Sequence, residues 1–145
     1  MKVLIQRVNK ASVRINGGEA RPIGRGLCVF VGIGHGDSTD GVKRLAMKAA
    51  NLRIFPNDEG KFDRSVLDIG GEALVVSQFT LYGDCGKGRR PDFTASAPPE
   101  HAEPLYRDFV SELSALGVPV KTGEFGAKME VEICNDGPVT LWLES

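Results

Sequence analysis

Two stretches of the sequence combine residue types that could do chemistry: Ser77-Gln78-Phe79-Thr80-Leu81 and Asn135-Asp136-Gly137-Pro138-Val139-Thr140. The first ends an apolar run, Ala73 to Val76, with hydroxyls and an amide, a common way to bring polar groups to the rim of a sheet. Backbone N–H groups where a strand leaves its ladder can stabilise the oxyanion of an ester under attack, and Thr80 could hold substrate or act as a nucleophile. The structural alternative is that Ser77, Gln78 and Thr80 only satisfy backbone groups at a strand end. A threonine with an ordinary alcohol pKa and no histidine or lysine placed to deprotonate it is a poor nucleophile, so its chemistry points to positioning rather than covalent attack.

The second stretch sets a glycine directly before a proline, between the alternating apolar runs Met129 to Cys134 and Val139 to Leu143. Proline has no N–H and a fixed φ, and glycine has no side chain, so Gly137-Pro138 presents bare carbonyls at a rigid corner. Such carbonyls can serve as a steric gauge, and a tight hairpin turn is the plainer reading. The two stretches are taken as halves of one site.

Other reactive residue types form no recognisable pattern. His35 sits in a glycine-flanked turn and His101 in the first turn of an expected helix, and no serine or cysteine stands in a Gly-x-Ser-x-Gly elbow. Metal-ligand spacing is absent, so no metal is expected. Cys28, Cys85 and Cys134 are odd in number and unspaced, which reads as reduced thiols in a cytoplasmic protein. Lys87, Arg89 and Arg90 lie close together a few residues beyond Leu81 and could meet phosphate, although such a run is usually a solvated loop.

The elements that must position these residues are legible from periodicity. Lys2 to Val8 and Ala11 to Ile15 read as strands, with Asn16-Gly17 as a hairpin turn and Glu19 to Ile23 returning. Leu27 to Ile33 is an almost unbroken apolar run and predicts a central strand covered on both faces. Asp37-Ser38-Thr39-Asp40 supplies helix caps, and Val42, Leu45, Ala46, Ala49 and Leu52 follow at helical spacing. Phe62 to Ile69 reads as a weaker extended segment, and Ala73 to Leu81 as a second buried strand turning polar at its end. Asp84 to Ala97 is loop-like. Pro98-Pro99 opens a second amphipathic helix carrying Ala102, Leu105, Tyr106, Phe109, Val110, Leu113 and Leu116, with Gly117 at its C′ position. Val118 to Lys121, Met129 to Cys134 and Val139 to Leu143 complete the strands. Strands outnumber helices without strict alternation, which predicts an α+β fold: one domain, residues 1–145, with a largely antiparallel or mixed, curved, barrel-like sheet and two main amphipathic helices.

With 145 residues and a formal net charge of −1, the chain has the size of one domain and lacks the charge for broad coating of nucleic acid, so any such contact must be local. The apolar runs are too short for a signal-peptide core or a membrane span, and no membrane partner is expected.

The two stretches together resemble the paired signature of the D-aminoacyl-tRNA deacylase family. Gln6-Arg7-Val8, Asn51-Leu52-Arg53-Ile54-Phe55, the basic loop ending in Arg90-Pro91, and Gly126-Ala127-Lys128-Met129 resemble it too, so the likeness spans the chain. It implies a homodimer with active sites at the subunit interface, the Gly137-Pro138 peptide in cis and inserted into the partner's pocket, and hydrolysis of the ester joining a D-amino acid to the acceptor end of tRNA without a cofactor. Carried over by position, Ser77, Gln78, Phe79 and Thr80 would line the catalytic pocket for the aminoacyl-adenosine. Gly137 and Pro138 would be the chiral gauge, with Asn135 in the same substrate-binding motif, Arg7 bracing that segment and Met129 forming pocket wall. Two other classes remain: a general small-molecule esterase using Thr80 or Cys85, and a non-catalytic module that binds the tRNA end.

Overall fold

A computed structural model describes residues 1–145. Its eight strands are β1 (Lys2–Ile15), β2 (Ala20–Ile23), β3 (Gly26–Gly32), β4 (Phe55–Pro56), β5 (Phe62–Arg64), β6 (Glu72–Ser77), β7 (Val120–Thr122) and β8 (Met129–Glu144), with helices α1 (Thr39–Asn51) and α2 (Pro99–Ala115) and a 3-10 turn at Phe79–Tyr82. The main sheet runs β2-β1-β3-β6-β7, with β8 also paired to β1. Pairings made by β1 are antiparallel, whereas β3–β6 and β6–β7 are parallel. The result is a single-domain, mixed sheet nearly closed into a barrel, with β4–β5 as a separate small ribbon.

The core explains which runs became strands. Leu27, Cys28, Val29 and Val31 in β3, and Ala73 to Val76 in β6, are buried, as expected of parallel strands covered on both faces. One cluster of 26 buried residues joins β1, β3 and β6 to the apolar stripes of α1 and α2. On the opposite sheet face a smaller cluster, including Val8, Val13, Cys28, Leu74 and Val76, is capped by the curled far ends of β1 and β8 with Met129, Val131 and Ile133. Gly117, at φ +100, follows the last turn of α2, the left-handed position that glycine takes past a helix end. No helix is long and apolar enough to cross a membrane.

The expectations for the site segments require correction. The Lys2 to Val8 and Ala11 to Ile15 runs are one strand, whose partner β8 shifts register between Gln6 and Lys10. Likewise the runs flanking Gly137-Pro138 do not pair with each other as a hairpin. Both pair with β1: Thr140 stands opposite Gln6 and Asn135 opposite Val8. The residues between them swell out as a bulge in a continuous strand. The strand entering Ser77 also stops there, and Phe79 to Tyr82 wind into the 3-10 turn instead of remaining extended. Phe62 to Ile69 is extended only as far as Arg64, and the strand expected from Val118 begins at Val120.

Candidate active site

β6 ends at Ser77 where β3 ends beside it, Val31 pairing with Ser77. Parallel strands in open sheets commonly place ligands beyond their carboxyl ends. A cavity of about 600 Å³ lies here, lined among others by Ser77, Gln78, Phe79, Phe93, Phe125 and Met129, a size within the ordinary range of small-molecule sites. The Gln78 N–H donates to the Val31 carbonyl (2.8 Å), the last tie to β3 before the chain leaves the sheet. The next two N–H groups, of Phe79 and Thr80, donate to nothing in the chain, as expected where a helical turn begins. Ser77 and Gln78 are half-buried and Thr80 is exposed. Phe79 is 57% exposed, held only edge-on by Phe93, with ring centroids 5.1 Å apart.

Thr80 does not line the cavity; its hydroxyl oxygen accepts a hydrogen bond from the Gln78 side-chain amide. No basic side chain touches that hydroxyl. The His35 Nε2 is engaged with the Thr94 carbonyl at 2.9 Å. Tyr106 lies in the cavity wall, its hydroxyl donating to the Val75 carbonyl at 2.9 Å, and burial pushes its pKa up to about 12. Tyr82, beside the same turn, is also shifted upward, first by burial and then by the Asp37 carboxylate.

Gly137 and Pro138 form the centre of a second cluster. Both are exposed, the peptide between them is cis, and Gly137 has φ +114. Arg7, only 6% exposed, lies beneath them. Its Nη1 donates to the Ile54 carbonyl, and its Nε lies 3.0 Å from the Asp136 carboxylate. That Nε–H is not aimed for a hydrogen bond, so the pairing is mainly charge against charge. The Asn135 side-chain amide donates to the Arg7 carbonyl (2.9 Å) and the Val139 carbonyl (3.1 Å), closing the mouth of the bulge. Within this chain Asn135 therefore has a structural task.

The sequence-predicted residues thus divide into two groups. Ser77, Gln78, Phe79 and Met129 share one cavity, with Thr80 attached through Gln78, while Arg7, Asn135, Gly137 and Pro138 share the bulge. Val131, the last cavity residue along β8, stands four positions before Asn135, at most about 14 Å at strand rise. None of Arg7, Asn135, Gly137 and Pro138 lines the cavity of its own chain. Phe93 and Phe125 were missed as cavity residues; their signal was an aromatic ring in a stretch otherwise built of glycine and polar residues.

The chain matches the family model described as D-Tyr-tRNA(Tyr) deacylase over residues 4–144. It is 57% identical over 145 residues to a D-aminoacyl-tRNA deacylase of Roseiflexus castenholzii, covering 100% of this chain and 92% of that one. With the D-aminoacyl-tRNA deacylase of Brevibacillus brevis it shares 55% identity over the full length of both. Among solved structures it resembles the "c-Myc DNA Unwinding Element Binding Protein" at 44% identity and TM-score 0.93, over 100% of this chain and 99% of that one. A "probable eukaryotic D-amino acid tRNA deacylase" shares the fold at 18% identity and TM-score 0.82, over 98% and 97%. A model match over nearly every residue and identities above half across the whole length leave one assignment: this chain belongs to the D-Tyr-tRNA(Tyr) deacylase family.

Proposed function

We propose that the cavity beside Phe79 receives the aminoacyl-adenosine end of a D-aminoacyl-tRNA, that the chain hydrolyses the ester, and that Gly137 and Pro138 of a second copy sort the mirror images. D-aminoacyl-tRNA deacylation is the activity of the family. The observation that carries the finer reading is the separation of the two clusters. Cavity and bulge are each well formed, yet no residue of the bulge lines the cavity of the same chain. A two-fold dimer would let each bulge reach its partner's cavity. The exposed apolar side chains Phe62, Phe79 and Trp142 are consistent with a surface that becomes covered.

L and D substrates differ only by exchange of H and side chain at the α-carbon, so selection needs a wall where the L side chain would lie. Backbone carbonyls of Gly137 and Pro138 suit that task because they have no rotamers through which to retreat. L-aminoacyl-tRNA is the common species, so useful rejection is on the order of 10⁴, about 5 kcal/mol. Glycine has no side chain to collide, and glycyl-tRNA should therefore be cleaved as well.

For the chemical step, the unpartnered N–H groups of Phe79 and Thr80 are available to stabilise the oxyanion. The exposed ring of Phe79 offers a stacking face to adenine. No protein base touches the Thr80 hydroxyl, so the substrate's ribose 2′-hydroxyl is assigned the activation of water. Ester hydrolysis by this route calls for no cofactor.

The deciding experiment incubates the purified protein with matched D- and L-tyrosyl-tRNA and follows release of the labelled amino acid. Rapid loss from the D substrate alone is expected; equal rates, or none, would end the proposal. Full turnover of a substrate ending in 2′-deoxyadenosine would remove the 2′-hydroxyl step alone. A second reading, a module that binds nucleic acid without turnover, draws on the DNA-binding name of the 44% identical structure, and tRNA binding without ester loss would favour it.

A further inference from the structure

The loop between Asp84 and Asp92 plays no part in the cavity. Its root is fixed twice over. Asp84 and Asp92 exchange backbone hydrogen bonds of 2.8 and 2.9 Å, closing a short antiparallel bridge. Phe93, next in the chain, packs edge-on against Phe79, and Gly83 passes so close to that ring that a Cβ there would lie 2.9 Å from it. The return path is pinned by the Ala97 N–H on the Ile33 carbonyl at 2.9 Å and by His35 on the Thr94 carbonyl. The loop is therefore rooted on the same 3-10 turn that supplies Phe79 to the cavity.

Its exposed tip carries Lys87, Arg89 and Arg90, none of which has a carboxylate partner within ion-pair distance. The two acids at the root are already occupied: Asp84 accepts from the Gly86 N–H at 2.7 Å, and Asp92 accepts from the Thr94 N–H at 2.9 Å. Hydrogen bonds from Thr94 hold the Asp92 carboxyl below its ordinary pKa, so it stays ionised and engaged. In a chain of net charge −1, three unpaired cations at one rigidly rooted tip form a local anion-binding element. Gly88 is four positions from Asp84, so the tip stays within about 14 Å of the bridge.

We propose that Lys87, Arg89 and Arg90 contact the phosphates of the single-stranded 3′ end of tRNA, immediately before the terminal adenosine in the cavity. This rests on the deacylase reading above and assigns the tip to capture of the RNA end, with no share in ester cleavage. Phosphate contacts fix register without reading sequence, so the loop acts alike on every tRNA that carries the same end.

The test compares wild type with a Lys87→Ala/Arg89→Ala/Arg90→Ala variant, which leaves the bridge and Phe93 intact, on D-tyrosyl-tRNA and on D-tyrosyl-adenosine, which has no phosphate. On the tRNA ester the variant should show a KM raised at least tenfold at low salt with kcat little changed. On D-tyrosyl-adenosine the two proteins should be indistinguishable. The slope of log affinity for deacylated tRNA against log salt should become shallower by about 2, the value for three single-strand phosphate contacts. An unchanged KM and slope would overturn the loop assignment while leaving the deacylase reading intact. Failure of wild type to cleave either ester would instead overturn the deacylase reading. A loss confined to binding of duplex DNA, with tRNA affinity unaltered, would also reject the RNA-end assignment.

Discussion

A methyl group added at Gly137 would lie 2.5 Å from the Arg7 Nη2. The guanidinium thus fills the space where any other residue's Cβ would stand, and φ +114 already disfavours an L side chain there. Gly137→Ala should cost about 1–3 kcal/mol in local strain and displace the bulge without unfolding the sheet. Deacylation of D-tyrosyl-tRNA should fall at least tenfold, and discrimination against L-tyrosyl-tRNA should shrink. Matched single-turnover assays on both substrates check this, with circular dichroism to verify the fold.

If each bulge serves the partner's cavity, two defective chains should repair one another. Mixing Gly137→Ala with a cavity variant, Phe79→Ala, gives heterodimers in which one cavity and one bulge are both unaltered and meet. Rapid turnover with full preference for D- over L-tyrosyl-tRNA should reappear after subunit exchange, although Phe79→Ala alone lacks the rate and Gly137→Ala alone lacks the full preference. No recovery after demonstrated exchange would argue against a shared site.

Arg7 is held by Ile54, Asp136 and the overlying Gly137. Arg7→Lys keeps the charge but loses the planar fork, so one ammonium cannot serve the Ile54 carbonyl and Asp136 together. A buried bond to a charged group is worth about 1.5–3 kcal/mol, and the variant should lose stability in that range in urea denaturation. Its D-specificity should weaken in parallel, because Asp136 then loses its anchor beside Gly137.

The relation between Arg7 and Gly137 is one that sequence reasoning reached only by resemblance. Leu27 to Ile33 announced a central strand because a strand buried on both faces needs apolar side chains at every position, and the α1 stripe was equally local. The path of residues 135–140 was not local. A glycine before a proline looks like a turn, but here both flanks pair with β1, and the choice between hairpin and bulge depends on a strand more than 120 residues away in the chain. In the sequence Ser77 to Leu81 reads as the polar end of a buried strand, because it continues the apolar run Ala73 to Val76 without a break. The chain leaves the ladder once β3 ends and no neighbour remains to pair with. Phe93 and Phe125 entered the cavity from loops, where neither period applies.

Gly26 and Glu72 stand opposite each other where β3 and β6 begin, so close that a Cβ on Gly26 would overlap the Glu72 backbone. No rotamer change relieves a clash with backbone. Gly26→Ala should therefore destabilise by about 3 kcal/mol. Thermal melting would show a Tm lowered by several degrees.

Alkaline pH should loosen the fold from inside. Burial pushes the Cys28 thiol from its ordinary 9.0 up to about 12, so above pH 9 the unfolded chain releases a proton that the folded chain retains. Stability is then complete below pH 9 and falls as pH rises between 9 and 12. By pH 11 this group alone accounts for about 2–3 kcal/mol. Tyr106, raised to about 12, adds to the decline above its ordinary 10. Cys28→Ala should be less stable at neutral pH through loss of packing, yet show a flatter decline in urea midpoints from pH 8.5 to 10.

Thr80 separates two mechanisms. Its hydroxyl is exposed and bonded only to the Gln78 amide, and removing it lets that amide turn to water, so Thr80→Ala should change stability by no more than about 0.5 kcal/mol. If the hydroxyl helps orient the ester, D-tyrosyl-tRNA turnover should drop by roughly tenfold, the scale of one lost neutral hydrogen bond. If Thr80 were the nucleophile, no acyl-enzyme could form and the rate should drop by about 10⁴ or more. A covalent route would also pass through an ester on Thr80, detectable by mass spectrometry after acid quench of wild type. Modest loss and no such adduct are expected, because an alcohol with no basic neighbour has nothing to take its proton as it attacks.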